Sequence, residues 1–138
     1  MKHFELLDIS GDAGIRAFGH SLDDLFVNAA AGMYSLITDP GSIIPSKSID
    51  IKAEAVSLEG LLVSWLNELI FQFDTYGFIG RDIHIHKLNN TLIMSTIDGE
   101  DFMPERHGRG LLIKAATYHK LKIERKEGHW EADVIFDI

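Results

Sequence analysis

Residues 57–74, SLEGLLVSWLNELIFQFD, carry the strongest pattern in the chain. Leu58, Leu61, Leu62, Trp65, Leu69 and Phe73 recur at spacings of three and four, so they line one face of an α-helix, and Leu66 and Ile70 widen that face. Ser57 is the expected N-cap. Glu59 puts a negative charge in the first turn, where the helix dipole favours it. Tyr76-Gly77 reads as the stop. A helix that is apolar over more than half its circumference needs a broad hydrophobic partner, and the β-type stretches on both sides of it predict a sheet.

Working outward, Ile49 to Ala55 alternates, with Ile49, Ile51, Ala53 and Ala55 on one side and Asp50, Lys52 and Glu54 on the other, the pattern of a half-buried strand. Ile79 to Leu88 alternates as well, with Ile83 and Ile85 inward and Asp82, His84 and His86 outward. Asn89-Asn90 predicts a hairpin turn and Leu92 to Ile97 the return strand. Lys2 to Leu7 and Ala13 to Gly19 read as short strands around a turn holding Asp8 and Asp12. Ser21 opens a second helix through Thr38, with its stripe on Leu22, Leu25, Phe26, Ala29, Met33, Leu36 and Ile37, and Asp39-Pro40-Gly41 ends it. Asp98 to Gly110 reads as a polar loop and Leu111 to Arg125 as a long β-rich run with room for a bend in its middle. Glu127-Gly128 is a turn, and Trp130 to Ile138 is the last strand. The expected fold class is α+β: one domain over residues 1–138, two-layer, with two long α-helices packed on one face of a mostly antiparallel β-sheet.

The bulk numbers bound the function. A chain of 138 residues with 46% apolar and 25% charged residues fits one globular domain with a real core. Cysteine is absent, which removes disulfides and thiolate metal sites. Thirteen basic against twenty-one acidic side chains give a net charge of −8. That sign opposes unaided binding to nucleic acid and suits a divalent cation or a basic protein partner. No run of about 18 apolar residues is long enough to span a bilayer, and the start, MKHFELLDIS, lacks a signal peptide's apolar run. The expectation is a cytoplasmic protein with no membrane partner.

Asp8, Asp12 and Asp137 form the first chemical constellation. Trp130, Ala132, Val134, Phe136 and Ile138 share one parity, so Asp137 points to the opposite, more polar side. The sequence stops at Ile138, which adds a carboxylate held by a strand. Side-chain carboxylates with a carbonyl or terminal oxygen make an oxygen-only site suited to Ca²⁺ or Mg²⁺. The alternative is a set of scattered solvated acids. Sheet order decides between them, and the sequence does not give it. Asp82, His84 and His86 are the second constellation, a face on which imidazoles could hold Zn²⁺ or Ni²⁺, or simply a solvent-facing strand. The third is Glu105, Arg106 and His107 with Tyr118 and His119, where a histidine could act as general base but nothing fixes the geometry. No nucleophile elbow, phosphate-cradling glycine loop or Walker signature is present.

Several segments in order resemble the archease family. They are Asp12-Ala13-Gly14-Ile15-Arg16-Ala17-Phe18-Gly19, Leu25-Phe26-Val27-Asn28-Ala29-Ala30, Leu62-Val63-Ser64-Trp65-Leu66-Asn67-Glu68-Leu69, Pro104-Glu105-Arg106-His107, Ile113-Lys114-Ala115-Ala116-Thr117-Tyr118-His119 and Val134-Ile135-Phe136-Asp137-Ile138. The resemblance runs nearly from end to end. It implies a non-catalytic accessory protein that activates an RtcB-type RNA ligase. Such a ligase joins RNAs bearing a 2′,3′-cyclic phosphate or 3′-phosphate to a 5′-hydroxyl, as in tRNA splicing, and the accessory protein promotes its guanylylation and multiple turnover. The resemblance also implies a divalent-ion site, with Ca²⁺ as the expected ion, on the positions matching Asp12, Asp137 and Ile138. Two departures stand out. Ile9-Ser10-Gly11 replaces the family's His-Thr-Ala, and Leu112 stands where an acid often precedes the Val/Ile-Lys-Ala segment. Two rival readings are a stand-alone metal-dependent hydrolase or phosphotransfer enzyme and a chaperone-like protein-binding module.

Overall fold

The computed structural model describes residues 2–138. In chain order the elements are β1 (Phe4–Leu7), β2 (Ala13–Gly19), α1 (Leu22–Ile37), β3 (Lys47–Glu54), α2 (Leu58–Tyr76), β4 (Phe78–Leu88), β5 (Leu92–Asp101), β6 (Ala115–Ala116), β7 (Lys122–Lys126) and β8 (His129–Asp137), with one 3₁₀ turn over Pro40–Ser42. Both helices begin as their sequences predict. The Ser21 hydroxyl accepts from the Asp24 N–H and the Ser57 hydroxyl from the Gly60 N–H, each satisfying a donor that the first turn leaves free. α2 ends on Gly77 at φ 68°, a left-handed conformation in which glycine carries no Cβ penalty.

The strands divide between two antiparallel sheets rather than forming one. The first runs β1-β2-β8-β6, with β7 also paired to β8, and the second runs β3-β5-β4. β2 pairs with β8 from Ala13 opposite Phe136 to Gly19 opposite Trp130. β7 flanks the beginning of the other side of β8 and β6 flanks its end. α1 lies against β1, β2 and β8 and reaches β4, while α2 lies against β3, β4 and β5 and reaches β6 and β7. Each helix therefore bridges both sheets. That explains why the apolar face of α2 is wider than a single stripe: Leu61, Leu62, Val63, Trp65, Leu66, Leu69 and Ile70 are all buried. Trp65 packs on Phe26 of α1 with ring centroids 5.8 Å apart. The Trp65 indole N–H donates to the Ser95 hydroxyl at 3.0 Å, which in turn donates to the Ile51 carbonyl at 2.9 Å. Burying each large side chain of this core contributes about 1.5–3 kcal/mol.

Two sequence expectations are corrected. The polar loop expected over residues 98–110 starts later, because Asp98 to Asp101 continue β5 beside β4 and β3. The β-rich run expected over residues 111–125, with a bend in its middle, holds less strand than expected: only the two-residue β6 and the five-residue β7, on either side of the bend. Tyr118 to Leu121 turns between them, with Lys120 at φ 51° and the Leu121 N–H bonded to the Tyr118 carbonyl.

Candidate functional site

The β2–β8 ladder ends beside two members of the first constellation, Asp12 and Asp137. Its last pair is Ala13 opposite Phe136. The next residues outward on the two chains are Asp12 and Asp137. Asp12 is half-buried and Asp137 exposed. Asp12 closes the β1–β2 turn, where its N–H bonds the Ile9 carbonyl and Gly11 takes φ 80°. Asp137 is held from the other side. It sits opposite Ala115 of β6, and its carbonyl accepts from the Lys114 N–H at 2.8 Å. β6 is itself clamped by α2. Asn67 Oδ1 accepts from the Ala116 N–H at 2.8 Å, and Asn67 Nδ2 donates to the Ala116 carbonyl at 3.2 Å. The Asn67 amide thus takes the place of a neighbouring strand. Asp8 is exposed in the same turn, and Ile138 follows Asp137 at the open end of β8.

Among the described residues no group of three or more His, Cys, Asp or Glu side chains is placed to hold a metal. A cation at this end would therefore rest on two side-chain carboxylates, Asp12 and Asp137, completed by main-chain oxygens of Ile138 and its neighbours. Such a donor set is all oxygen and fits a hard ion such as Ca²⁺.

The histidine face of β4 is engaged otherwise. His84 Nε2 meets Asp98 Oδ2 at 2.8 Å, and His86 Nε2 meets the Thr96 hydroxyl at 2.6 Å, which donates on to Asp50 at 2.8 Å. The two imidazoles point at separate partners on β5 rather than at a common point. Hydrogen bonds from the Ser48 hydroxyl and from His84 lower the Asp98 pKa.

The 102–110 loop folds back onto the residue that sequence reasoning missed. Glu100, at the end of β5, is only 5% exposed. Its carboxylate accepts from both terminal nitrogens of Arg106, from the Ile44 N–H and from His107 Nε2 at 2.9 Å. The Met103 N–H donates to His107 Nδ1 at 2.8 Å, so Nδ1 carries no proton and the Nε2–H donates to Glu100. His107 is fully buried with both ring nitrogens occupied. Arg106, in the first place, and the Ile44 and His107 donors hold the Glu100 carboxyl down at about 2. Glu105 and Arg109 are exposed, as are Tyr118 and His119 on the turn after β6. The loop is an internal latch, and its histidine, with both ring nitrogens engaged, is not free to act as general base. The only signal in the sequence is Arg106-His107 a few residues beyond an acid, which does not reveal burial.

The model of the archease protein family matches residues 4–138. Curated relatives named "Protein archease" include that of Methanopyrus kandleri, 32% identical over 98% of this chain and 99% of its own length. That of Pyrococcus furiosus is 34% identical over the full length of both. The solution structure of a Methanobacterium thermoautotrophicum protein aligns with TM-score 0.76 at 34% identity over all of both chains. A Thermotoga maritima archease, described as a possible chaperone, shares the fold at TM-score 0.68 and 20% identity over 96% of this chain and 94% of that one.

Proposed function

This chain belongs to the archease family, and we propose that it is a non-catalytic activator of an RtcB-type RNA ligase, promoting its guanylylation and multiple turnover in tRNA splicing and RNA repair through a divalent-ion site on Asp12, Asp137 and Ile138. The observation that carries this reading is the register of β2 and β8, in which the next residues beyond the last pair are Asp12 and Asp137. When bound, the ion supplies a positive centre at an otherwise acidic end. Asp12 and Asp137 bind it, while the Lys114 N–H on the Asp137 carbonyl and the Asn67 clamp on β6 keep the two strand ends in place. The net charge of −8 suits approach to a basic, metal-loaded ligase active site more than direct contact with RNA. Here Ca²⁺ is the expected ion, the RtcB-type ligase the partner, and the cytoplasm the compartment. No helix among the described residues is long and apolar enough to cross a membrane.

The alternative of a stand-alone hydrolase or phosphotransfer enzyme finds no nucleophile–base pair in the loop, because His107 has no free nitrogen. The deciding experiment replaces Asp12 and Asp137 by Ala together. It follows ligase guanylylation under multiple turnover and Ca²⁺ binding by calorimetry. A folded double variant should lose both. Undiminished stimulation removes this mechanism.

A further inference from the structure

Resting on the reading of a protein partner, we propose that the cleft between the C-terminus of α1 and residues 109–112 is a docking pocket for one apolar side chain of the ligase, with an adjacent ligase carboxylate met by Arg109. The chain builds this cleft with care. Past the Glu100 latch, the Thr38 hydroxyl bonds the Gly108 carbonyl. The Gly110 and Leu111 N–H groups then donate to the Ile37 and Leu36 carbonyls, both at 2.8 Å. These are carbonyls of the last turn of α1, which the helix itself leaves unsatisfied. The strap is thereby held at a fixed height over an apolar floor of Ile37, Phe73 and Phe102, with Leu111 and Leu112 as its wall. Leu111 is 40% and Leu112 66% exposed, so the wall is only half used by the fold.

Size and charge select the occupant. The cleft encloses about 180 Å³. Small-molecule sites run to about 300–1,000 Å³, so a nucleotide or similar cofactor does not fit, whereas a single Leu, Met or Phe side chain does. Such a pocket is the usual seat of an interface anchor. Among the described residues Arg16, Arg81 and Arg106 each have a carboxylate partner; Arg109 and Arg125 have none, but Arg125 lies over the Trp130 ring whereas Arg109 stands at the cleft. A free cation on the rim of an apolar cleft, in a chain of net charge −8, complements an apolar residue flanked by an acid. The strap also leads towards the acidic end, because the Lys114 N–H, two residues past Leu112, donates to the Asp137 carbonyl.

The test uses Leu112→Ser and Arg109→Glu, two exposed positions, in the full chain with melting temperatures checked against wild type. Titrated against the purified ligase, each variant should need about tenfold more protein for half-maximal stimulation while reaching the wild-type maximum. The Asp12→Asn/Asp137→Asn variant should lower the maximum instead. Affinity within twofold of wild type for both cleft variants overturns the docking pocket and leaves the accessory role intact. Wild-type protein that neither binds nor stimulates the ligase overturns both. A wild-type dimer in sedimentation that the cleft variants abolish, with ligase affinity unchanged, makes a second copy the occupant and overturns the ligase assignment.

Discussion

Asn67→Ala should destabilise the protein by far more than an ordinary surface substitution, because the Asn67 amide stands in for a missing strand. β6 is two residues long and pairs on one side only, with β8. The outward N–H and carbonyl of its Ala116 are satisfied by Asn67, at 2.8 and 3.2 Å. Ala116 is 5% exposed, so water has little room to replace the lost bonds. Each bond contributes about 1 kcal/mol net, and leaving a buried backbone group unpaired costs about 1–3 kcal/mol, so the expected loss is about 2–4 kcal/mol. Asn67→Asp should be no milder: its carboxylate still accepts from the Ala116 N–H but sets an oxygen against the Ala116 carbonyl.

Urea denaturation followed by circular dichroism gives the free-energy change, provided the slope is unaltered. Amide hydrogen exchange at Ala116 gives the local one. Because Ala115 lies opposite Asp137, loosening β6 should also weaken the proposed Ca²⁺ site in calorimetry. A change below about 0.5 kcal/mol, the level of a neutral surface substitution, with unaltered exchange at Ala116 would refute the strand-substitute account.

Three further outcomes follow from the same geometry. The Glu100 carboxyl sits at about 2 in the folded protein against an ordinary 4.5, so its contribution to stability is complete above pH 4.5 and is lost as pH falls towards 2. Thermal melts from pH 7 downward should show that loss, and Glu100→Gln should flatten it. Gly110→Ala would place a Cβ 2.3 Å from the Leu36 carbonyl oxygen. The strap must lift off α1, at a cost of about 1–3 kcal/mol by urea denaturation and with loss of protection at the Leu111 amide. Gly77→Ala, at φ 68°, should cost about 1–2 kcal/mol by the same denaturation measurement, with no effect on Ca²⁺ binding.

Local signals were legible and partner choices were not. The 57–74 stripe located α2. Ser21 and Ser57 were readable as caps because a hydroxyl three residues ahead of a free N–H is a short-range pattern. Alternation likewise located Ala13–Gly19 and the β3 and β4 strands. It could not divide them between two sheets, since an antiparallel strand alternates identically whichever neighbour it meets. The β-rich run over residues 111–125 covers β6 but does not mark its two residues, which are held by Asn67, 49 positions away. Glu100 read as a loop acid, and what buries it comes from Arg106, His107 and the Ile44 N–H, 56 positions away.

The adjacency of Asp12 and Asp137 depends on a choice made four residues further in. Arg16 forks onto Asp133, Nε to Oδ1 at 2.8 Å and Nη2 to Oδ2 at 3.0 Å, and the two residues are directly opposite in the ladder. Sliding β8 by one residue would turn every side chain to the wrong face. Sliding it by two would preserve the faces and still give Arg16 an acid, Glu131, but would leave Asp12 across from Ile135. The sequence of these two strands alone does not choose between the acids. β7 does. Lys126 lies opposite His129 and takes Glu131 at 2.8 Å, which leaves Asp133 for Arg16. The hairpin on the far side of β8 therefore sets which carboxylate Asp12 meets. On this argument Lys126→Glu should weaken the proposed Ca²⁺ site at the distant strand end through register alone, and calorimetry showing wild-type affinity in a folded Lys126→Glu protein would show that the Arg16–Asp133 pair holds the register unaided.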